Sequence, residues 1–202
     1  TLLSEPPGSV TLCPTGPLTN VAIAMVRAPE IIPRIAEIVL MGGAAINPGN
    51  VTPAAEFNIY VDPHAADVVF RSGVPLVMMG LDVTHQVLVT TPRKEAIRVS
   101  GGRVSAAVAD LLTFYCSFDL AKYRMEGGPL HDPCVIAYLI DPTLFSLKHV
   151  HVAVETASEL TMGQTVADWW AVTDRPPNCH VADQAEDQRF FALLSERLAR
   201  LP

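Results

Sequence analysis

Apolar residues occur along this chain in two arrangements, as short continuous runs and as stretches with helical spacing. Three runs, at residues 10–13, 36–41 and 75–80, are short and mostly apolar, which is typical of strands buried on both faces. Weaker β-like runs follow at residues 149–155 and 159–172. Helical spacing and helix-start signals predict helices that begin at residues 17, 62, 91, 103, 133 and 184.

The order of these elements indicates the fold class. Buried strands that alternate with helices are typical of a mostly parallel α/β sheet flanked by helices, with a Rossmann-like core. We expect a single domain of this kind over residues 1–202. Ligands of open parallel sheets bind outside the carboxyl ends of the strands. This rule selects four polar or glycine-containing loops, at residues 15–16, 42–58, 82–85 and 127–132.

The composition narrows the range of partners. A formal net charge of −7, with scattered basic residues, argues against nucleic acid as a partner. The longest apolar runs fall well short of the ~18 residues that a membrane-spanning helix needs, so no membrane partner is expected. The four cysteines form no CxxC pair and favour neither a zinc site nor disulfides. A reducing compartment, the cytoplasm, fits this pattern.

The segment GGPLHDP, residues 127–133, places a histidine and a carboxylate side by side. Asp-Pro pairs also begin at Asp62 and Asp141, and an N-cap aspartate, which contributes about 1 kcal/mol, explains such pairs without catalysis. Asp132 differs in its neighbours, His131 and a Gly-Gly-Pro loop that lets backbone approach a ligand. Two roles therefore stay open for each residue. Asp132 is a helix cap or a hard-cation ligand, and His131 is a hydrogen-bonded histidine or a general acid.

The long loop at residues 42–58 supplies further polar groups. Asn50 follows Pro-Gly, so turn formation alone would explain it. Glu56 and Asn58 flank Phe57, and in extended geometry their side chains share one face. A carboxylate and an amide that point the same way can match the donors and acceptors of sugar hydroxyls. This pair therefore predicts recognition of a polyol.

Six motifs, in this order, resemble those of the inosine–uridine preferring nucleoside hydrolases. They are PTGPLTN, IVLMGGA, NVTPAAEFNIYVDPHAA, GLDVTHQ, PLHDP and VETASELTMGQTVAD, and they extend over nearly the whole chain. The resemblance implies hydrolysis of the N-glycosidic bond of purine or pyrimidine ribonucleosides, giving ribose and free base. It also implies a water activated by bound Ca²⁺ and a homodimer or homotetramer as the assembly.

Matched motif by motif, the resemblance implies a role for individual residues. His131 would lie beside the departing base and protonate it. Asp132 would bind both the ribose and Ca²⁺, and Thr15 would ligate Ca²⁺ through its backbone carbonyl. The other residues that the resemblance assigns to the substrate are Met41, Asn50, Glu56 and Asn58 at the ribose, and Tyr115 and Tyr123 over the base.

One part of the family pattern is missing from the sequence. The chain contains no Asp-x-Asp, so it lacks the DxDxxxDD signature that supplies most of the metal's carboxylates and the general base. We therefore expect the C-terminal part of a nucleoside hydrolase fold, with the N-terminal part as a separate segment or partner. The alternative is a truncated, non-catalytic protein that binds ribose or nucleosides, or that only packs as a partner.

Overall fold

The computed structural model describes residues 1–123 and 126–201, and it describes the side chains of these residues outside 118–125. The residues form two compact units. The first unit comprises Thr1–Val83 and Ser146–Asp183. The second unit comprises Thr84–Phe145 and Gln184–Pro202.

Strands and helices alternate through the first part of the chain. In chain order the strands are β1 (Val10–Leu12), β2 (Ile35–Met41), β3 (Leu76–Met79), β4 (Leu88–Val89), β5 (Gly128–Pro129), β6 (Phe145–Val150), β7 (Val152–Val154), β8 (Thr165–Ala167) and β9 (Cys179–Ala185). The α-helices are α1 (Thr19–Arg27), α2 (Phe57–Tyr60), α3 (Pro63–Phe70), α4 (Leu81–Thr84), α5 (Thr91–Ser100), α6 (Arg103–Tyr123), α7 (Pro133–Ile140) and α8 (Asp187–Ala199). Within residues 1–123 and 126–201, no helix is both long enough and apolar enough to cross a membrane.

A five-stranded sheet with the order β1-β2-β3-β9-β6 organises the first unit. β1 pairs in parallel with β2, β2 with β3, and β3 with β9. Ile38, Val39 and Leu40 of β2 are fully buried, which explains why the run is apolar on both faces. Ile38 lies opposite Leu76 of β3. The predicted mostly parallel α/β fold is therefore confirmed.

Helices α1 and α3 pack against each other and share one core cluster with the strands of the first unit. Asp62 starts α3, because its Oδ1 atom accepts the N–H of Ala65 at 3.0 Å. Its Oδ2 atom accepts the hydroxyl of Thr19, the first residue of α1, at 2.7 Å. At the other end of α3, Phe70 is almost completely buried, which contributes roughly 1.5–3 kcal/mol. These helices fix the strands whose carboxyl ends carry the candidate residues.

Helices α5, α6 and α8 pack together in the second unit. Arg93 of α5 joins two of them, because its guanidinium donates to Asp187 of α8 and lies 4.4 Å from the ring centre of Phe191. The short strands β4 and β5 pair antiparallel, with Leu88 opposite Pro129. The chain passes from β5 directly into the loop before α7, and this loop carries His131 and Asp132.

The structure differs from the sequence prediction at the later strands. The three predicted strands at residues 10–13, 36–41 and 75–80 are confirmed. The hydrophobic pattern does not predict β9, which lies between β3 and β6, because His180, Asp183 and Gln184 interrupt its apolar positions. The β-like run predicted at residues 159–172 forms a strand only at β8, which pairs antiparallel with β7.

Candidate functional site

A turn of two glycines follows β2 and begins the long loop. Gly43 has a φ of +83°, a left-handed conformation that glycine adopts readily and residues with a Cβ atom rarely do. A Cβ atom at Gly43 would lie 2.7 Å from Met78 Sδ and 3.0 Å from Thr165 Oγ1. The turn therefore needs glycine both for its conformation and for space.

Each of the five backbone N–H groups from residue 43 to residue 47 donates to a side chain. The pairs are Gly43 with Glu56 Oε2 (2.9 Å), Ala44 with Thr165 Oγ1 (2.8 Å), and Ala45, Ile46 and Asn47 with the Asp82 carboxylate (2.7, 2.8 and 2.7 Å). The Thr165 hydroxyl also donates back to the carbonyl of Ala44 at 2.8 Å. Three side chains from distant parts of the sequence thus fix the start of the loop.

Glu56 is almost completely buried and caps α2. Its Oε2 atom accepts N–H groups from Gly43, Asn58 and Ile59, and Oε1 also accepts from Asn58, at 2.9 Å. The extended geometry predicted for residues 56–58 is wrong, because the capping carboxylate starts a helix at Phe57. The carboxylate is instead aimed back at the glycine turn.

Asn58 is also buried, and it reaches the same turn. Its Nδ2 atom donates to the carbonyl of Met41 at 3.0 Å and lies 3.3 Å from Met41 Sδ. A Cβ atom at Gly42 would lie 3.2 Å from Glu56 Oε2 and 3.5 Å from Asn58 Cβ, so both side chains pack on Gly42. The first unit thus brings Met41, Glu56 and Asn58 together. The amide nitrogen of Asn58 is thus used by Met41, and its amide oxygen is an acceptor.

Asn50 and Thr15 are the other candidates in the first unit, and both lie in loops. Asn50 Oδ1 accepts the N–H of Phe57 at 3.0 Å, which ties Asn50 to the start of α2. Thr15 is exposed and follows Pro14, whose carbonyl accepts the N–H of Met41 at 2.9 Å. The loop after β1 therefore lies beside the end of β2, as expected for the carboxyl ends of neighbouring parallel strands.

In the second unit, His131 contacts two residues that follow β3 in the chain. Its Nδ1 atom lies 2.8 Å from Thr84 Oγ1, and its ring centre lies 5.8 Å from that of His85. Burial and the neighbouring His85 lower the pKa of His131 from 6.5 to about 4. The ring is therefore neutral at pH 7, and a proton that it donates there comes from the N–H of the neutral imidazole.

Asp132 occupies the N-cap position of α7 but makes no side-chain hydrogen bond to the helix backbone. The other two Asp-Pro aspartates do, since Asp62 accepts the N–H of Ala65 at 3.0 Å and Asp141 that of Thr143 at 3.1 Å. Capping therefore explains Asp62 and Asp141 and is wrong for Asp132. Burial raises the pKa of the Asp132 carboxyl, so its ionised form would gain from a nearby cation.

A cavity of about 240 Å³ opens beside His131 and Asp132 within the second unit. Its lining residues are Leu112, Tyr115, Leu130, His131, Asp132 and Pro133. The hydroxyl of Tyr115 donates to the carbonyl of Pro129 at 3.1 Å, which fixes the ring at this wall. The side chain of Tyr123, the other tyrosine expected over the base, lies outside the described residues. Mixed apolar and polar walls of this kind are typical of sites for small ligands.

The two glycines before this cavity serve the packing of the protein itself. A Cβ atom at Gly127 would lie 2.5 Å from the carbonyl oxygen of Val89, and one at Gly128 would lie 2.6 Å from Cys116 Sγ. Close approach to β4 and α6 therefore accounts for both glycines, and the approach of this loop to a ligand stays a prediction.

The described residues contain no group of three or more His, Cys, Asp or Glu side chains that could hold a metal ion. The two donors implied by the resemblance are Asp132 and the carbonyl of Thr15, and they belong to different compact units. Calcium takes about 6–8 oxygen ligands. These two donors alone do not fit a complete calcium site.

Four residues without a role in the sequence analysis contact the candidate side chains or hold their loop. Asp82 and Thr165 bind the backbone after β2, and Thr84 and His85 contact His131. The polar cluster at residues 82–85, directly after a buried strand, is the signal for three of them. Thr165 has no such signal, because its partner Ala44 is 121 residues away in the chain.

Known proteins are similar to this chain in sequence and in architecture. A family model described as inosine-uridine preferring nucleoside hydrolase matches residues 1–192. The pyrimidine-specific ribonucleoside hydrolase RihA of Citrobacter koseri is 48% identical over 198 residues, covering 98% of this chain and 63% of that protein. An uncharacterized protein of Schizosaccharomyces pombe is 48% identical over 202 residues, which are 100% of this chain and 65% of that protein.

Solved structures agree with these matches. A purine-preferring ribonucleoside hydrolase from Gardnerella vaginalis has a TM-score of 0.86 at 36% identity, covering 96% of this chain and 61% of its own. A plant nucleoside hydrolase has a TM-score of 0.87 at 33% identity, covering 96% of this chain and 63% of its own. The chain thus spans less than two thirds of the length of the relatives described here.

Proposed function

This chain belongs to the inosine-uridine preferring nucleoside hydrolase family, and we propose that it acts in the hydrolysis of the N-glycosidic bond of ribonucleosides. In this reaction water replaces the base at the anomeric carbon, giving ribose and free base. Departure of the base leaves an oxocarbenium-like ribosyl group. Catalysis therefore needs groups that bind and orient the ribose and a donor that protonates the base. The chain offers a candidate for each need.

The observation that carries the proposal is that the side chains of Glu56 and Asn58 both pack on Gly42. Glu56 Oε2 accepts N–H groups of the backbone, Oε1 accepts the N–H of Asn58, and the Asn58 amide nitrogen donates to Met41. A carboxylate oxygen can accept a second hydrogen bond. In the proposal, Glu56 Oε1 and Asn58 Oδ1 accept hydrogen bonds from ribose hydroxyls. Both proposed contacts on the protein side are acceptors, so the ribose hydroxyls would act as donors. From the sequence alone, we expect this pair to match both donors and acceptors of the sugar.

Met41 and Asn50 complete the proposed ribose side. Met41 is buried at the end of β2, where its carbonyl and sulfur orient the Asn58 amide. Asn50 holds the start of α2 through the N–H of Phe57. We assign Met41 to the wall of the ribose site and Asn50 to a ribose hydroxyl.

His131 is the proposed donor to the departing base. It lines the cavity of the second unit together with Tyr115 and Asp132. Because its pKa lies near 4, the proton comes from the neutral imidazole, as in enzymes that use a neutral histidine as an electrophile. Purine and pyrimidine leaving groups need this proton, whereas p-nitrophenolate leaves without it.

Ca²⁺ is the ion that the resemblance implies, and Asp132 and the Thr15 carbonyl are the proposed donors from this chain. The Asp132 carboxylate makes no capping bond to α7, which supports a ligand role. The remaining oxygen ligands would come from water or from outside the described residues. In calorimetric titration with Ca²⁺, Asp132→Asn should weaken binding, while the capping variant Asp62→Asn should not.

The ribose assignment can be tested with substrates that lack one hydroxyl. Hydrolysis of uridine and inosine is compared with that of their 2′-, 3′- and 5′-deoxy derivatives, for the wild-type protein and for Glu56→Gln. In the wild type, loss of the hydroxyl that Glu56 binds should lower kcat/KM about 10-fold or more, and in Glu56→Gln the same deletion should cost much less. Glu95→Gln, whose side chain is 60% exposed, should behave as the wild type does.

The deoxy series also has an outcome against the assignment. If every deoxy substrate loses the same factor with the wild type and with Glu56→Gln, then Glu56 holds no ribose hydroxyl. The second candidate function, a non-catalytic nucleoside-binding protein, would show saturable binding of uridine or inosine without any release of ribose.

A further inference from the structure

We propose that Thr84 is a positioning residue whose hydroxyl donates to Nδ1 of His131 and so keeps the ring N–H on Nε2. The tautomer itself depends only on contacts within the second unit. Its use in protonating a leaving base rests on the proposed function. Neither the sequence motifs nor the family comparison assigns a role to Thr84.

The geometry between Thr84 and His131 is fixed by backbone hydrogen bonds as well as by the side-chain contact. Thr84 Oγ1 lies 2.8 Å from His131 Nδ1, and Thr84 is fully buried. Val87 links the two segments, because its N–H donates to the carbonyl of Thr84 at 3.1 Å and its carbonyl accepts the N–H of Leu130 at 2.9 Å. The carbonyl of His131 accepts the N–H of Cys134 at 3.1 Å. Backbone hydrogen bonds thus fix the positions of both Thr84 and His131.

The direction of the hydrogen bond decides what His131 can do. A neutral imidazole has one N–H donor and one lone-pair acceptor, and a threonine hydroxyl can serve as either partner. If Nδ1 carried the proton and donated to Thr84, Nε2 would be a lone pair and could not protonate a base. If Thr84 donates, Nε2 carries the proton and His131 is a donor on its other side.

The choice of tautomer matters for the neutral ring, because only the imidazolium carries protons on both nitrogens. A hydroxyl that selects one tautomer therefore determines whether an N–H is available at Nε2. This is the role of orienting groups next to catalytic histidines in general.

Nitrogen NMR of the histidine rings tests the tautomer without any activity. The two ring nitrogens have well-separated ¹⁵N shifts that show which of them carries the proton, and the His131 signals are assigned by their loss in His131→Gln. At pH 7 the wild type should show one tautomer with the proton on Nε2. A proton on Nδ1 in the wild type would overturn the proposal, whatever the variants do.

Matched variants test whether Thr84 is the cause. Thr84→Val removes the hydroxyl and keeps the shape, so the His131 signals should move to averaged positions of two tautomers. Thr84→Ser should restore the wild-type pattern. Thr113→Val removes a hydroxyl of α6 that donates to the carbonyl of Ala109, and it should leave His131 unchanged. An unchanged tautomer in folded Thr84→Val would contradict the proposal.

The kinetic test uses two leaving groups and separates this inference from the proposed function. For uridine and inosine, Thr84→Val should lower kcat/KM about 10-fold, and Thr84→Ser should recover most of it. For p-nitrophenyl riboside, the same variants should change little. Equal losses on both kinds of substrate would contradict the positioning role. If the wild-type protein hydrolyses neither, the proposed function fails, and the NMR result still decides the tautomer.

Discussion

Glu56 Oε2 accepts the backbone N–H of Gly43 at 2.9 Å, across 13 residues of chain. The same carboxylate caps α2 through the N–H groups of Asn58 and Ile59. One buried side chain therefore joins the turn after β2 to the helix that carries Asn58. The side chains of Glu56 and Asn58 both pack on Gly42, so the proposed ribose site and the local fold depend on the same residue.

Glu56→Ala should lower the free energy of unfolding by about 3 kcal/mol. Three buried N–H groups lose their acceptor, and each unsatisfied donor costs about 1–3 kcal/mol, partly relieved by water in the space left behind. Urea denaturation measures the change. Glu95→Ala removes an exposed carboxylate and should stay within about 0.5 kcal/mol of the wild type. Similar losses for both variants would refute the structural role of Glu56.

Gly43→Ala and Gly73→Ala separate backbone strain from crowding. Gly43 and Gly73 have φ values of +83° and +79°, but only at Gly43 does a Cβ atom meet neighbours, with nothing within 4 Å at Gly73. Gly73→Ala should cost about 1–2 kcal/mol of unfolding free energy for the left-handed conformation. Gly43→Ala should cost a further 1–3 kcal/mol for overpacking against Met78 and Thr165. Equal costs in thermal or urea unfolding would show that the crowding is relieved.

Asp62→Ala and Asp132→Ala test which Asp-Pro pair caps a helix. Asp62→Ala should lower the free energy of unfolding by about 1–2 kcal/mol, because it removes a cap and the bond from Thr19. Asp132→Ala should change it by less than about 0.5 kcal/mol in the absence of Ca²⁺, because no capping bond is lost. A large loss for Asp132→Ala in calcium-free buffer would restore the capping explanation.

The low pKa of His131 predicts a loss of stability in acid. Its pKa is about 4 in the folded protein and 6.5 as its ordinary value, so between these values the unfolded state binds more protons. The free energy of unfolding should therefore fall as the pH drops from 6.5 towards 4, by up to about 3 kcal/mol from this group. Urea unfolding across this range should give a flatter curve for His131→Gln. Parallel curves would mean that His131 titrates normally.

The sequence predicts the elements whose local signal agrees with their tertiary setting. The run at residues 36–41 is apolar because β2 is buried on both faces, and Asp62-Pro63 starts a helix in the sequence and in the structure alike. Once these strands are predicted, the loops at their carboxyl ends, after β1, β2 and β3, are predicted as well. This is why the sequence pattern selects Thr15 and Glu56, whereas Met41 is selected by the family resemblance alone.

The rest depends on contacts between distant residues. The sequence does not predict the Thr84–His131 contact, because it joins residues 47 positions apart. It misplaces residues 56–58 because the Glu56 side chain, by accepting local N–H groups, overrides the extended pattern. It misses β9 because its His, Asp and Gln side chains conceal a strand inside the sheet. It leaves the cap at Asp132 open, because Asp-Pro looks the same whether or not the carboxylate turns towards the helix.

The central claim is that the protein containing this chain cleaves ribonucleosides to ribose and base. The most direct measurement is ribose and free base released from uridine and inosine, on purified protein of determined intact mass and in the presence of Ca²⁺. We predict equimolar ribose and base, with release reduced by about 10²-fold or more in His131→Ala. No ribose from either nucleoside with the folded wild-type protein would contradict the claim and leave a nucleoside-binding function.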